Sequence, residues 1–320
     1  MRRFSILLIL LLGWLWAAPP VLHPVRQIVA DGVVEDMVLR DGELLLGTGH
    51  GSLQRVDLND FKVSTLVTLK QIKDFMGDTI DAKVFSVDKH GDRYLLLSDS
   101  GQGGYSDLWI LEGDRLKKVI GAEDQKALIK ARFLDHDHVL LGYLSNEASL
   151  LDLKSGKELY QTQLTESKFS DFDLDLETRQ AAFGCESGEL TLIDAGSGKV
   201  LRRFTDLHVD NIFSVALGQT WLLAGGQDRR ASYINLKTGQ KGYFKARFLV
   251  YAVGLSPRED LAAYAMDEDN TLTIYDLGTL APRYRLQGQK STLDAIVFLD
   301  ETTLFSSSQD DTVMMWQLKP

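Results

Sequence analysis

The stretch LLAGGQDRRASYINLKTGQ, Leu222 to Gln240, sets two glycines, an aspartate and two adjacent arginines between two apolar segments. Its centre is either an anion-binding loop or one turn of a repeat. Six further stretches share its grammar: LLLGTGHGSLQRVDL ending at Leu58, YLLLSDSGQGGYSDLWIL at Leu111, VLLGYLSNEASLLDL at Leu153, QAAFGCESGELTLIDA at Ala195, LAAYAMDEDNTLTIYDL at Leu277 and TLFSSSQDDTVMMWQL at Leu318. The penultimate residues of the seven, Asp57, Ile110, Asp152, Asp194, Asn235, Asp276 and Gln317, stand 53, 42, 42, 41, 41 and 41 residues apart. Chance does not give such spacing.

Each unit opens with a short apolar strand such as IFSVAL or DAIVFL, followed by a polar turn. A second strand rich in Leu, Ala and Gly ends in a small or acidic turn. A third, alternating strand ends at the Asp position, and a turn of the Lys-Ser-Gly-Lys kind leads to a fourth. Four strands joined by hairpins at a period of about 40–45 residues predict an all-β, seven-bladed β-propeller of WD40 type. The last unit stops after its third strand. Pro24 precedes Asp36 by the same 12 residues that separate Pro282 from Asp294, so the strand near Val25 to Ala30 is expected to complete the last blade and close the ring.

The bulk properties fit this reading. The chain has 320 residues, 44% hydrophobic and 25% charged, as in an ordinary folded domain. A formal net charge of −10 argues against general nucleic-acid binding, which needs clustered cations on phosphates. Arg2-Arg3, the apolar run Ile6 to Trp16 and the small residues Ala17-Ala18 read as a signal peptide over residues 1–18, leaving residues 19–320 as the propeller. The run's eleven residues fall short of the roughly 20 that span a bilayer. Export to the periplasm is therefore expected, with nothing membrane-spanning after cleavage. The single cysteine, Cys185, reads as a buried small residue, since no motif surrounds it.

Several motifs dissolve into the repeat. AGSGKV, Ala195 to Val200, lacks the frame of a phosphate loop, and LDHDHV, Leu134 to Val139, is a turn between first and second strands rather than a metal cluster. DFDLDLE, Asp171 to Glu177, is a first strand with Phe172, Leu174 and Leu176 on one face. Aligned by sequence, Asp173 matches Asp36 and Asp294, where the other units carry Ser86, Ala131, Ser214 and Ala252. Innermost strands border the central channel, so Asp36, Asp173 and Asp294 are expected to line it, around water or a cation. No residue set forms a recognisable catalytic frame, and neither a cofactor nor a metal is implied.

In such a ring, the turns between second and third strands share a face with the connections between blades. The irregular segments fall there: KQIKDFMGDTID (Lys70 to Asp81), DSGQGGYSD (Asp99 to Asp107) and Asp228-Arg229-Arg230, with Asp267 to Asn270 and Gln309 to Asp311 in the next two blades. Insertions on one face of a repeat array mark a binding face. The candidate partner-binding residues are Phe75, Tyr105, Asp228, Arg229, Arg230, Asp267, Glu268, Asp269, Asp310 and Asp311.

AGGQDRRASYINL, VYAVGLSPREDLAAYAMDEDNTLTIYDL and LQGQKSTLDAIVFLDETTLFSSSQDDTVMMWQL resemble the periplasmic WD40 accessory proteins of NapL type, associated with bacterial nitrate reductase systems. The likeness is clearest over Leu207 to Leu318. It implies a non-catalytic supporting role, in maturation or activity of the reductase, with a reductase subunit as partner. The histidine dipeptide usual in WD40 repeats is approached only by LHVD at His208, so the hydrogen-bonded tetrad that stiffens those blades is expected to be mostly degenerate. Two alternatives stand beside this reading: a ligand- or cation-binding propeller, conceivably an enzyme, using the three channel aspartates, and an outer-membrane assembly scaffold.

Overall fold

The computed structural model describes residues 18–318, so the export segment, apart from its last residue, lies outside the described residues. Seven antiparallel sheets form the blades of a ring. Blade one comprises Val34–Arg40, Glu43–Thr48, Ser52–Val56 and Val63–Thr68, and blade five Ile212–Leu217, Trp221–Gly226, Arg230–Asn235 and Lys241–Lys245. The inner strands touch in chain order, and that of blade seven, Leu293–Phe298, returns to that of blade one.

Packing explains the composition of the strands. Among the described residues, seven hydrophobic clusters each lie between two neighbouring blades. A second strand is therefore covered on both faces and reads as a continuous apolar run, as Leu44-Leu45-Leu46 and Leu95-Leu96-Leu97 do, all six fully buried. Burying each such side chain is worth about 1.5–3 kcal/mol. The outer strand of blade three, Lys157–Gln163, has solvent on one side and alternates exposed with half-buried residues.

The recurring acidic position has a structural cause. Asp152, Asp194, Asn235 and Asp276 end their third strands and Asp57 directly follows its own, and each side-chain oxygen accepts backbone N–H bonds from the turn that follows, at 2.7 Å from Asn59, 2.9 Å from Lys154, 2.8 Å from Ser197, 2.9 Å from Thr238 and 2.8 Å from Thr279. These are side-chain-capped turns, and the repeat marker is a turn requirement.

The ring closes as expected: Arg26–Val29 pairs antiparallel with Thr312–Met315 as the outer strand of blade seven, and Ile28 is buried between blades seven and one. A further element, Val21–Leu22, pairs parallel with Arg285–Leu286 and adds a fifth strand to blade six. The chain start thus clamps two adjacent blades. The tetrad, expected to be mostly degenerate, has a glutamine counterpart in blade seven. There Trp316 Nε1 donates to Ser306 Oγ (2.8 Å), Ser306 Oγ to Gln289 Oε1 (2.8 Å), and Gln289 Nε2 to Ser308 Oγ (2.6 Å). A glutamine amide both donates and accepts, so Gln289 serves where a histidine would.

Candidate partner-binding face and channel mouth

The opening stretch resolves into structure first. Gly225 and Gly226 are the last residues of a strand, not the turn itself. A Cβ at Gly225 would stand 2.5 Å from Val250 Cγ1 and 2.7 Å from Val250 O, so the glycine lets blade six approach. Asp228 has a buried side chain. Its oxygens lie 3.1 Å from His208 Nδ1 and accept from the N–H groups of Val209 (2.9 Å) and Arg230 (3.1 Å). Burial acts to raise the Asp228 pKa, but His208 and these N–H groups outweigh it and hold the carboxyl below its ordinary range. His208 Nε2 continues the chain to Ser232 Oγ at 2.8 Å.

The two arginines differ. Arg230 donates to Leu207 O at 2.7 Å and stacks over Tyr243, 4.5 Å from the ring centre, so it is a structural cation. Arg229 is exposed and occupies the left-handed region at φ 61°, the turn position that blades three and six give to Asn146 and Asn270. A non-glycine residue there carries strain. Its guanidinium makes no ion pair among the described residues.

Inner strands begin on the face that carries the blade connections, called here the connecting face. Most open with a bulge, where one residue has no partner on the second strand: Glu35, Phe85, Ile129, Ser170, Phe213 and Asp294 in blades one to five and seven. This bulge sets the register of the channel and corrects the sequence alignment. Asp36 follows its bulge directly, Asp173 lies three residues past its own, and Asp294 is itself a bulge residue. All three line a channel cavity of about 640 Å³, but at three different levels. The counterpart of Asp36 in blade four is Asp171. Leu176 also falls outside its strand, which ends at Asp175.

Below the mouth the ring is stitched at four of its seams. An inner strand is a sheet edge whose outward N–H groups need acceptors. Asp36 accepts from Val87 N (2.8 Å), Ser86 Oγ from Ala131 N (3.1 Å), Asp88 from Phe133 N (2.7 Å), Asp171 from Val215 N (2.8 Å), Asp173 from Leu217 N (2.8 Å) and Ser214 Oγ from Val253 N (3.3 Å). Every bond runs from one blade's side chain to the next blade's backbone. Cations balance the charge: Arg132 contacts Asp36 at 2.9 Å, Arg40 contacts Asp88 at 3.1 Å and Lys130 contacts Asp171 at 2.6 Å. Burial acts to lower the Arg132 pKa, but Asp36, Asp88, Asp171 and Asp173 raise it above its ordinary value. Burial pushes the Asp171 carboxyl up, with Lys130 opposing. Asp36 and Asp173 are therefore committed to the fold. Among the described residues, no group of three or more His, Cys, Asp or Glu side chains is placed to hold a metal ion.

The mouth is different. Phe85, Ile129 and Phe213 are half-exposed bulge residues, and Tyr251, which precedes the inner strand of blade six, stacks on Phe213 with ring centres 4.6 Å apart. Opposite in character, blades seven and one bring Asp294, Glu35 and Asp310 together. Burial pushes the Asp294 carboxyl up to about 7, with Gln309 opposing and the Glu35 and Asp310 carboxylates adding to the rise. Glu35 has a cation, Lys83 at 3.1 Å, whereas Asp294 has none among the described residues.

The remaining candidates divide between surface and scaffold. Phe75 is 92% and Met76 72% exposed, at the tip of a two-stranded hairpin, Ile72–Lys73 with Thr79–Ile80. Asp74 Oδ1 accepts the N–H groups of Met76 and Asp78, each at 2.9 Å, and holds the tip in shape. Tyr105 is half-buried over the second turn of blade two. Asp267 is buried, capping Thr271 N at 2.9 Å and pairing with Arg285 at 3.1 Å, while Glu268 and Asp269 are exposed. Asp310 caps Thr312 N at 2.8 Å, and Asp311 is exposed. Cys185 is buried and free, as expected. Sequence reading missed Lys130 and Arg132, because the bulge at Ile129 that turns them into the channel is seen only in the strand register.

No family model matches the chain. Many solved structures are similar to it, two of which follow. A crystal structure of the WD40 β-propeller domain of Doa1 is 15% identical with a TM-score of 0.71, over 92% of this chain and 97% of that one. A chain in a crystal structure of the mitotic checkpoint complex is 17% identical with a TM-score of 0.76, over 99% of both. The chain has the seven-bladed WD40-type propeller fold.

Proposed function

We propose that this chain is an exported, non-catalytic scaffold that binds a protein partner through its connecting face, and that the partner belongs to a periplasmic nitrate reductase system. The observation that carries the binding half is the Phe75–Met76 tip. An aromatic and a thioether side chain held in water by a capped turn stabilise nothing in this chain, and such preorganised apolar anchors are what interface cores use. The nitrate half rests on the resemblance of residues 207–318 to NapL-type accessory proteins, and the periplasmic location on the export segment. Engagement of Asp36 and Asp173 by backbone N–H groups leaves the channel-cation alternative with Asp294 alone.

The test is affinity capture from the periplasm of nitrate-grown native cells. Wild type is expected to recover a nitrate reductase subunit, and Phe75→Ser/Met76→Ser to lose it with no change in thermal stability. Capture without any reductase subunit would remove the nitrate assignment. Capture of the reductase unaffected by the double variant would place the contact elsewhere than the tip.

A further inference from the structure

The channel mouth contains a charge that the fold leaves unmet. Deeper in the channel, Asp36, Asp88 and Asp171 each have a cation within 3.1 Å and a backbone N–H to accept. Among the described residues Asp294 has neither: its neighbours are the Gln309 amide and two further carboxylates, Glu35 and Asp310. Around the ring, the blade preceding it offers Tyr251 stacked on Phe213 of blade five, and the blade following Glu35 offers Phe85. An acidic arc is thus flanked on both sides by half-exposed aromatic side chains above an open cavity of about 640 Å³.

We propose that this mouth binds an extended segment of a protein partner in which a lysine or arginine stands next to an aromatic or aliphatic residue. The proposal rests on the reading of the connecting face as a protein-binding surface and names what that partner brings. The cationic head meets Asp294 and Glu35, and the apolar neighbour packs on Phe213 and Tyr251. A cation between carboxylates and aromatic faces gains from both, since the ring faces carry negative charge density. Complementary charge also discriminates against acidic segments, which Glu35, Asp294 and Asp310 repel. The raised pKa of Asp294 is the measure of what it lacks: burial beside like charges disfavours its ionised form, and an incoming cation reverses that.

The experiment is selection of phage-displayed random heptapeptides at pH 8.5 on the purified wild-type protein, and in parallel on Asp294→Asn and Phe75→Ser/Met76→Ser. The wild type and the tip variant are expected to enrich sequences with Lys or Arg adjacent to Phe, Tyr, Leu or Met. Asp294→Asn is expected to lose the basic preference. Fluorescence anisotropy with one enriched peptide should show at least about tenfold weaker binding to Asp294→Asn and to Phe213→Ser, with circular dichroism unchanged. Peptides without basic residues, no enrichment, or equal affinity for wild type and Asp294→Asn would overturn the proposal. That outcome together with intact reductase capture would leave the protein-binding role standing on the Phe75–Met76 tip alone.

Discussion

Replacing Asp294 by Asn should stabilise the propeller in a pH-dependent way. In the folded chain its carboxyl titrates near 7 instead of 3.8, because burial and the Glu35 and Asp310 carboxylates disfavour its charge, with only Gln309 opposing. The folded state therefore holds the proton more tightly than the unfolded chain. Stability falls as pH rises from about 4 to about 7, and the full penalty persists above that. A shift of about 3 units is worth at most about 4 kcal/mol, and water entering at the channel mouth reduces the expected figure to about 1–3 kcal/mol. Asp294→Asn removes the charge and keeps a polar group beside Gln309. At pH 4.5 the gap between variant and wild type should be only about a quarter of its full size. At pH 8.5 the variant should unfold roughly 2–6 °C higher. Other titrating groups cancel in the comparison of the two proteins at one pH. A variant less stable than wild type at pH 8.5, or an equal difference at both pH values, would refute the unmet-charge account.

Two further predictions concern groups the fold does use. Arg132→Met should cost about 3–5 kcal/mol in urea unfolding, because Asp36 is left buried without its cation and Ser86 Oγ and Val87 O lose a donor. Stability unchanged by that substitution would show that the stitched ring does not hold the blades together. Arg229→Asn, the residue that blades three and six place at the same turn, should stabilise by about 0.5–1 kcal/mol by relieving the left-handed backbone. Destabilisation measured the same way would mean that the Arg229 side chain holds the turn.

The repeat was legible because its determinants are local. A turn that must cap its own N–H groups calls for Asp57, Asp152, Asp194, Asn235 and Asp276, and a strand covered on both faces must be apolar throughout. Blade count, ring closure by residues 26–29 and the identity of the connecting face all follow from that periodicity. The channel was less legible. Asp36, Asp173 and Asp294 look equivalent along the chain, and the inner-strand bulge that separates their levels leaves no residue signature of its own. Arg230 stands among the candidate partner contacts along the chain, and only the fold brings Tyr243, thirteen residues on, and Leu207 O against it.

The sequence by itself determined the number of blades, the strands in each and the face on which irregular loops gather, since these depend on spacing within a single repeat. Tertiary structure alone decided which charges are spent and which remain available. Whether a carboxylate finds a cation or a backbone N–H depends on another blade, some 40 to 100 residues away, as with Arg132 and Asp36, two blades apart, or Asp171 and Val215 on adjacent blades. That distance along the chain is why Asp36 is part of the frame while Asp294, in the same channel, has Gln309 beside it but no cation among the described residues.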